Sequence, residues 1–289
     1  KLEKDEDLQC TPEGQVAELG SKTVFYFTAQ KAELLSKRRL ELSSNEVRQA
    51  FARYLALPNS LADLRYRILR PRGGRGYPLP HATTYVIETE PDAQCLVYRL
   101  SEVRHYSRPK PGKADAVLYV SHHSADLELR QDEWVRKQIP ADKGKTAFYA
   151  CDVRGAGESR PDTCGENSFL QPYGSDYFYA IHGIMLNRPY VGQKTLDVLQ
   201  VLRWLEAAGH SRIQIVAQGW GSLPAAFAAM YSNVVTSIRL KGALDSFHSI
   251  ATSQEYQWPL SSFVPSILNE VDLTDCYTLL EAEKDLELL

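Results

Sequence analysis

The sequence predicts an α/β protein, with a mostly parallel sheet flanked by helices. Short apolar segments at 116–120 and 147–151, and a mostly apolar one at 213–216, alternate with helical patterns along the chain. Strands that are apolar throughout are typical of a parallel sheet covered by helices on both faces. The 289 residues are enough for one large domain of this class with an appendage, or for two small domains.

Composition excludes several classes of function. The formal net charge of −3 argues against a nucleic-acid or anionic-membrane partner. No apolar run approaches the ~20 residues that a membrane helix needs. Neither a C-x-x-C motif nor a helical pair of metal-ligand residues is present, so we expect no metal and no cofactor. The chain begins at Lys1 with a charged run and no start methionine, which we interpret as a mature or trimmed chain.

The five cysteines leave the redox compartment open. They are Cys10, Cys95, Cys151, Cys164 and Cys276. Cys151 and Cys164 flank a loop, and both a disulfide between them and two free thiols are compatible with this spacing.

Residues 1–79 are predicted to form a helical N-terminal extension and linker, and residues 80–289 the main domain. Apolar residues at helical spacing predict helices at 28–39 and 45–55. The segment 71–78 is rich in proline and glycine and marks the boundary.

The main domain begins with a predicted hairpin of strands at 83–88 and 95–100. Strands are then predicted at 116–120, 147–151, 213–216, 235–244 and 285–289, and helices at 127–139, 175–185, 191–208, 223–231 and 275–282. The helix at 191–208 is amphipathic, with Lys194, Asp197 and Gln200 on its polar stripe. Residues 245–270 are expected to be rich in loops.

The most informative stretch is 212–224, a buried strand, a tight turn and the start of an alanine-rich helix. Its centre, Ala217-Gln218-Gly219-Trp220-Gly221, resembles the nucleophile elbow of α/β-hydrolases, small-x-nucleophile-x-small. Gly219 stands at the nucleophile position, where it permits the sharp turn but cannot attack a carbonyl. Ser222 is interpreted as a cap or packing residue rather than a relocated nucleophile. Trp220 fits a pocket wall and a core position equally well.

The ends of the other strands carry further candidates, because ligands bind beyond the carboxyl ends of strands in open α/β sheets. After the strand at 116–120 come His122 and His123. Adjacent histidines are expected to point in different directions, so one of them faces a pocket as a general base, or both lie in an exposed polar loop. Asp152 and Arg154 are expected to pair across the glycine turn that follows the next strand.

Asp245 follows the strand at 235–244, with His248 three residues later. An Asp at this position orients a catalytic His, or it caps a helix. The candidate catalytic positions are therefore Gly219, Asp245, His248 and His123, and the candidate substrate-binding residues are His122, Gln218, Trp220 and Ser222.

The chain resembles the acetyl xylan esterase-like proteins of bacterial polysaccharide-degrading systems, within the α/β-hydrolase superfamily. The matching motifs are the segments 152–159, 173–177 and 189–193 together with the elbow frame, and the resemblance covers about residues 80–289. It implies an α/β-hydrolase-like sheet, a small-molecule or glycan ester as ligand, and a secreted or periplasmic location.

The same resemblance implies a serine at the position of Gly219, an acid after the strand that begins near Asp285, and a histidine after one further strand. We therefore expect a C-terminally incomplete sheet, which belongs to a longer chain or is completed by a partner.

Two hypotheses follow. The first is an esterase for acylated carbohydrates that uses a relocated nucleophile or a water activated by His122, His123 or His248. The second is a catalytically inactive module that binds a glycan or supports a neighbouring catalytic domain. Fold alone does not decide between them.

Overall fold

A computed structural model describes residues 2–69, 72–73, 75–107, 115–142, 144–160 and 175–289. The strands are β1 Arg65–Ile68, β2 Arg72–Gly73, β3 His81–Glu90, β4 Ala93–Ser101, β5 Asp115–Val120, β6 Ala147–Asp152, β7 Arg212–Gln218, β8 Val235–Lys241 and β9 Asp285–Leu288. The α-helices are α1 Val24–Arg38, α2 Ser44–Tyr54, α3 Ala125–Gln131, α4 Glu133–Lys137, α5 Ser175–Met185, α6 Tyr190–Ala207, α7 Ser222–Tyr231, α8 Phe247–Thr252 and α9 Leu273–Glu283.

The strands form one mixed sheet in the order β1-β3-β4-β6-β5-β7-β8-β9, with β2 paired to β3. The first half is antiparallel and includes the predicted β3–β4 hairpin. From β6 to β9 every pairing is parallel. All six residues of β6 are buried, as expected for a parallel strand covered on both faces. The predicted α/β class is confirmed.

The N-terminal segment is only partly helical. Helices α1 and α2 lie close to their predicted positions, and α2 packs Phe51 against Phe227 of α7 with ring centroids 5.3 Å apart. Strands β1 and β2 were not predicted, because Arg65–Ile68 alternates charged with apolar residues and follows a loop. Both strands pair with β3, so the description of residues 1–79 as helix and linker needs correction. The domain boundary at residues 79 and 80 remains a prediction.

The polar stripe of α6 is buried rather than solvated. Lys194, Asp197 and Gln200 are 8%, 0% and 0% exposed. The amide of Gln200 donates to the carbonyl of Ala62 at 3.0 Å, while Asp197 accepts from Arg154. Helical spacing reveals which residues share a face, but the partners of that face come from distant segments.

Two further predictions change in detail. The helix predicted at 127–139 is divided into α3 and α4 by Asp132, whose carboxylate caps α4. The segment 245–270, which is expected to be rich in loops, also contains the short helix α8. Cys151 lies within β6 as a buried free thiol, and Cys164 lies outside the described residues.

Among the described residues, no helix has the length and apolar character needed to cross a membrane.

Candidate functional site

The backbone of the predicted elbow is present. Strand β7 ends at Gln218, a single 3-10 turn spans Gly219–Gly221, and α7 begins at Ser222. Gly219 has φ of 51°, in the left-handed region that favours glycine. A Cβ at Gly221 would clash with the carbonyl oxygen of Ser121, because the turn passes directly over the end of β5. The turn therefore requires glycine at position 221, where the close atoms are backbone, and favours glycine at position 219.

The imidazole of His122 occupies the space above Gly219. A Cβ added to Gly219 would lie 2.7 Å from Nδ1 and 2.8 Å from Cε1 of this ring. Nδ1 also accepts a hydrogen bond from the backbone N–H of Trp220 at 3.1 Å. The first atoms of a nucleophile side chain and the His122 ring would thus compete for one position.

The protonation state of His122 follows from this hydrogen bond. Since Nδ1 accepts, the ring is neutral and its hydrogen is on Nε2. Burial, reinforced by the neighbouring His123, lowers the pKa of His122 to about 4. In this arrangement neither ring nitrogen serves as a general base, because Nδ1 is engaged and Nε2 carries the proton.

The two histidines stack on each other, which corrects the expectation that they point in different directions. Their ring centroids are 3.6 Å apart with an interplanar angle of 37°. Trp220 places its ring edge-on against both, at 4.9 Å from His122 and 4.5 Å from His123. Burial and the positive charges of Lys194 and Arg160 lower the pKa of His123. Trp220 is half-buried and forms one wall of this aromatic cluster.

Glu128 of α3 binds the loop that follows β5. Its carboxylate accepts three consecutive backbone N–H groups, from His122 at 3.1 Å, His123 at 2.7 Å and Ser124 at 3.0 Å. The hydroxyl of Tyr119 donates to the same carboxylate at 2.6 Å. Burial raises the pKa of Glu128 despite these donors.

The hydrogen-bond donors at the elbow are therefore satisfied within the chain. In α/β-hydrolases the oxyanion hole combines the N–H after the nucleophile with an N–H from the loop after an earlier strand. Here the corresponding donors are the N–H of Trp220, which binds His122, and the N–H groups of His122 and His123, which bind Glu128. Glu128 was missed by sequence reasoning, although its position four residues after Ser124, at the start of a helix, was a usable signal.

Gln218 and Ser222 both make internal hydrogen bonds. The amide of Gln218 donates to the Asp132 carboxylate at 2.9 Å. Ser222 is fully buried, and its hydroxyl donates to the carbonyl oxygen of Gly219 at 2.5 Å. It is not the N-cap of α7, a position held by Gly221. Ser222 therefore packs under the turn, in agreement with the packing interpretation of this residue.

Asp245 and His248 are not brought to the elbow by their contacts. Asp245 is exposed, and the cap of α8 is Ser246 rather than Asp245. His248 lies with Nε2 3.5 Å from the Glu33 carboxylate of α1, and its backbone N–H donates to Asp272 at 3.2 Å. The prediction of an acid and histidine pair is not supported by these contacts, because α8 turns His248 toward α1.

Asp152 and Arg154 do not pair with each other. Asp152 is fully buried and accepts from the Ser121 hydroxyl at 2.8 Å and the Ala125 N–H at 2.7 Å. Its burial raises the pKa to about 6. Arg154 instead forms ion pairs with Asp197 at 2.6 Å and Glu90 at 2.7 Å. Asp152 thus anchors both ends of the loop after β5 through its hydrogen bonds with Ser121 and Ala125.

Within the described ranges, no cluster of three or more His, Cys, Asp or Glu side chains is suited to hold a metal ion.

Comparison with known proteins gives matches at the level of solved structures. No protein-family model and no curated protein matches the chain. A structure of a candidate acetyl xylan esterase from Bacteroides fragilis NCTC 9343 is 14% identical, with a TM-score of 0.67 over 93% of this chain and 76% of that one. A methylesterase is 15% identical, with a TM-score of 0.52 over 94% of this chain and 53% of that one.

The chain has an α/β-hydrolase fold. At 14–15% identity the likeness concerns the fold and not the activity. The predicted fold family is confirmed, and the elbow after β7 lies at the carboxyl edge of the parallel strands, where this fold places its sites. The α/β-hydrolase fold described here spans about half the length of the methylesterase it matches.

Proposed function

We propose that this α/β-hydrolase-fold protein does not hydrolyse esters at the elbow and acts as a non-catalytic module that binds a glycan ester or supports a neighbouring catalytic domain. One observation carries the proposal: the His122 ring lies 2.7 Å from where a side chain on Gly219 would begin. The missing hydroxyl and the occupied space are two separate obstacles to a nucleophile at this position.

The state of the oxyanion-hole donors supports the same conclusion. Residual catalysis in enzymes that lack a nucleophile comes from the oxyanion hole and from substrate binding. In this chain the N–H of Trp220 is bonded to His122, and the loop N–H groups are bonded to Glu128. An incoming carbonyl oxygen would have to displace a neutral ring and a carboxylate. We therefore expect even residual ester hydrolysis to be absent.

The esterase hypothesis requires another residue to act in place of Gly219. Ser222 is buried and bonded to the Gly219 carbonyl, so its hydroxyl is directed away from a substrate. His122 has no basic nitrogen available, and His248 contacts Glu33. These contacts favour the second hypothesis.

A glycan or a small ester is the proposed ligand class, on the basis of the motif resemblance and the esterases that share the fold. Trp220 would supply an apolar face of the kind on which a sugar ring packs. The secreted or periplasmic location and a longer chain or partner that extends the sheet remain predictions.

Turnover of p-nitrophenyl acetate and of acetylated xylan tests the loss of activity. The wild type, Gly219→Ser and the double variant Gly219→Ser/His122→Ala would be compared with Gly242→Ser. Gly242 is a matched control because it also has a positive φ, 58°, but a Cβ there meets no atom within 4 Å. We expect background rates from the wild type, Gly219→Ser and the control.

Turnover by the wild type above the uncatalysed rate would contradict the proposal and restore the esterase hypothesis. Activity gained only by the double variant would identify His122 as the block. Calorimetric titration with acetylated and deacetylated xylo-oligosaccharides tests ligand binding, with Trp220→Ala as the binding variant. Absence of binding at millimolar ligand would refute the ligand role and leave the supporting role.

A further inference from the structure

A cavity lies away from the elbow, between α1 and the connection from β8 to β9. It has a volume of about 570 Å³ and is lined by α1 and by residues 247–269. This volume falls within the range of small-molecule sites, roughly 300–1,000 Å³. It shares no lining residue with the elbow, Glu128 or the histidine stack.

The wall of this cavity that belongs to the β8–β9 connection is mostly apolar, and its polar members are Ser253, Gln254, Ser266 and Asn269. Phe247, Val264 and Ile267 line it and are buried in the main core. Tyr256 and Phe263 add two rings whose centroids are 5.5 Å apart. Such a wall favours the apolar part of a ligand, because removal of apolar surface from water is stabilising.

The opposite wall is one stripe of α1 with a charge in it. Val24, Thr28, Lys31 and Leu35 recur at steps of four, three and four, which places them on one face of the helix, and all four line the cavity. Lys31 is the one charged residue among the lining residues, all of which the structure describes. Lys31 is exposed, so its ammonium group stays in contact with solvent at this position of the stripe.

Lys31 is not matched by an acidic group within the described part of the cavity wall. No Asp or Glu lines the cavity, and none of the ion pairs between described residues involves Lys31. The cavity therefore combines a mostly apolar lining with a single positive charge. Its complement is a molecule with an apolar body and one negative charge.

Backbone strain at the same wall is an independent observation. Ser266 lines the cavity with φ of 62°, a left-handed conformation that is strained for a non-glycine residue. Strain of this kind clusters at ligand sites, where the surrounding structure holds it in place. Here it sets the 3-10 turn Ile267–Asn269 that closes one side of the cavity.

We propose that this cavity binds an amphiphilic monocarboxylate, such as a medium-chain fatty acid, with the chain against the Phe247 wall and the carboxylate at Lys31. The site is independent of the proposed function at the elbow, because the two share no residue.

Isothermal titration with decanoate, decan-1-ol and decyltrimethylammonium, each below its micellar concentration, tests the proposal on the full chain. We expect decanoate to bind more tightly than the alcohol, and the cation to bind most weakly. Lys31→Met should weaken decanoate binding about threefold to fivefold, the range for an exposed ion pair, and leave the alcohol unchanged. Lys37→Met is the matched control, since Lys37 lies on α1, is exposed and does not line the cavity.

A cavity-filling variant gives a second, charge-independent readout. Ala251 lines the cavity, and Ala251→Trp should weaken decanoate at least tenfold, whereas Ala207→Trp at the exposed end of α6 should not. Equal affinities for the three amphiphiles, an unchanged affinity in Lys31→Met, or undiminished binding in Ala251→Trp would each overturn the proposal. Esterase assays have no part in this test, so its outcome and that of the elbow proposal are distinguishable.

Discussion

Replacing Gly219 by Ala measures how firmly His122 fills the elbow. The new Cβ would lie 2.7 Å from Nδ1 and 2.8 Å from Cε1, both closer than non-bonded atoms approach. The ring cannot move away freely, because it stacks on His123 at 3.6 Å and meets the edge of Trp220. We therefore expect the variant to fold with His122 displaced and with the Trp220 N–H deprived of its acceptor.

The expected cost has two parts. A left-handed alanine costs about 1–2 kcal/mol relative to glycine. Loss of the hydrogen bond from Trp220 to His122 adds about 1 kcal/mol, and the crowded ring adds a further repacking cost of similar size. Gly219→Ala should thus lower the free energy of unfolding by about 3–4 kcal/mol.

Urea unfolding followed by far-ultraviolet circular dichroism measures this cost. Gly242→Ala is the control, because Gly242 has a similar φ of 58° and open space around it, so it reports the backbone cost alone. In a His122→Ala background, Gly219→Ala should cost no more than Gly242→Ala does. A Gly219→Ala effect equal to that of the control in the wild-type background, or unchanged by removal of His122, would refute the assignment of this ring as the block.

Two further predictions concern buried charge and pH. Asp197→Ala leaves the largely buried Arg154 without its main partner and should lower the free energy of unfolding by about 3 kcal/mol or more. Asp115→Ala removes the exposed ion pair with Arg212 and should lower it by less than about 1 kcal/mol. Equal losses in urea unfolding would contradict this prediction. The folded pKa of His122, about 4, lies below the ordinary 6.5, so its contribution to stability is complete above pH 6.5 and is lost as pH falls toward 4. The difference between the folded and ordinary pKa values corresponds to about 3 kcal/mol of stability, which partial exposure of the ring reduces to about 2 kcal/mol. His122→Gln should remove this pH-dependent loss of stability when unfolding is measured from pH 4 to 7. An unchanged dependence of stability on pH in this variant would contradict the prediction.

The sequence predicted the elements that local chemistry determines. The parallel strands were recognisable because β5, β6 and β7 are short and mostly apolar. The elbow was recognisable because two glycines follow β7 directly. Strand β1 was missed because arginines alternate with apolar residues along Arg65–Ile68. The strand lies at the edge of the sheet, where solvent exposure weakens the apolar pattern.

The contents of the site were not predictable in the same way. His122 and Gly219 lie on different strand ends, and only the β5–β7 pairing brings them together. The contacts of His248 depend equally on α1, which the helical pattern locates along the chain but not in space. Long-range pairing, rather than propensity, decides which side chains meet at the elbow.

The carboxylate of Glu128 occupies an anion-binding site that its own chain forms. The three N–H groups of the loop after β5 form a nest for an anion, and the chain supplies that anion from α3. An intramolecular ligand acts at an effective concentration of about millimolar or more. Acetate or phosphate in solution would therefore have to displace the Glu128 carboxylate, which is attached to the same chain. The chain's own carboxylate therefore fills the nest, and Glu128→Ala would turn this filled anion site into one that external anions can enter.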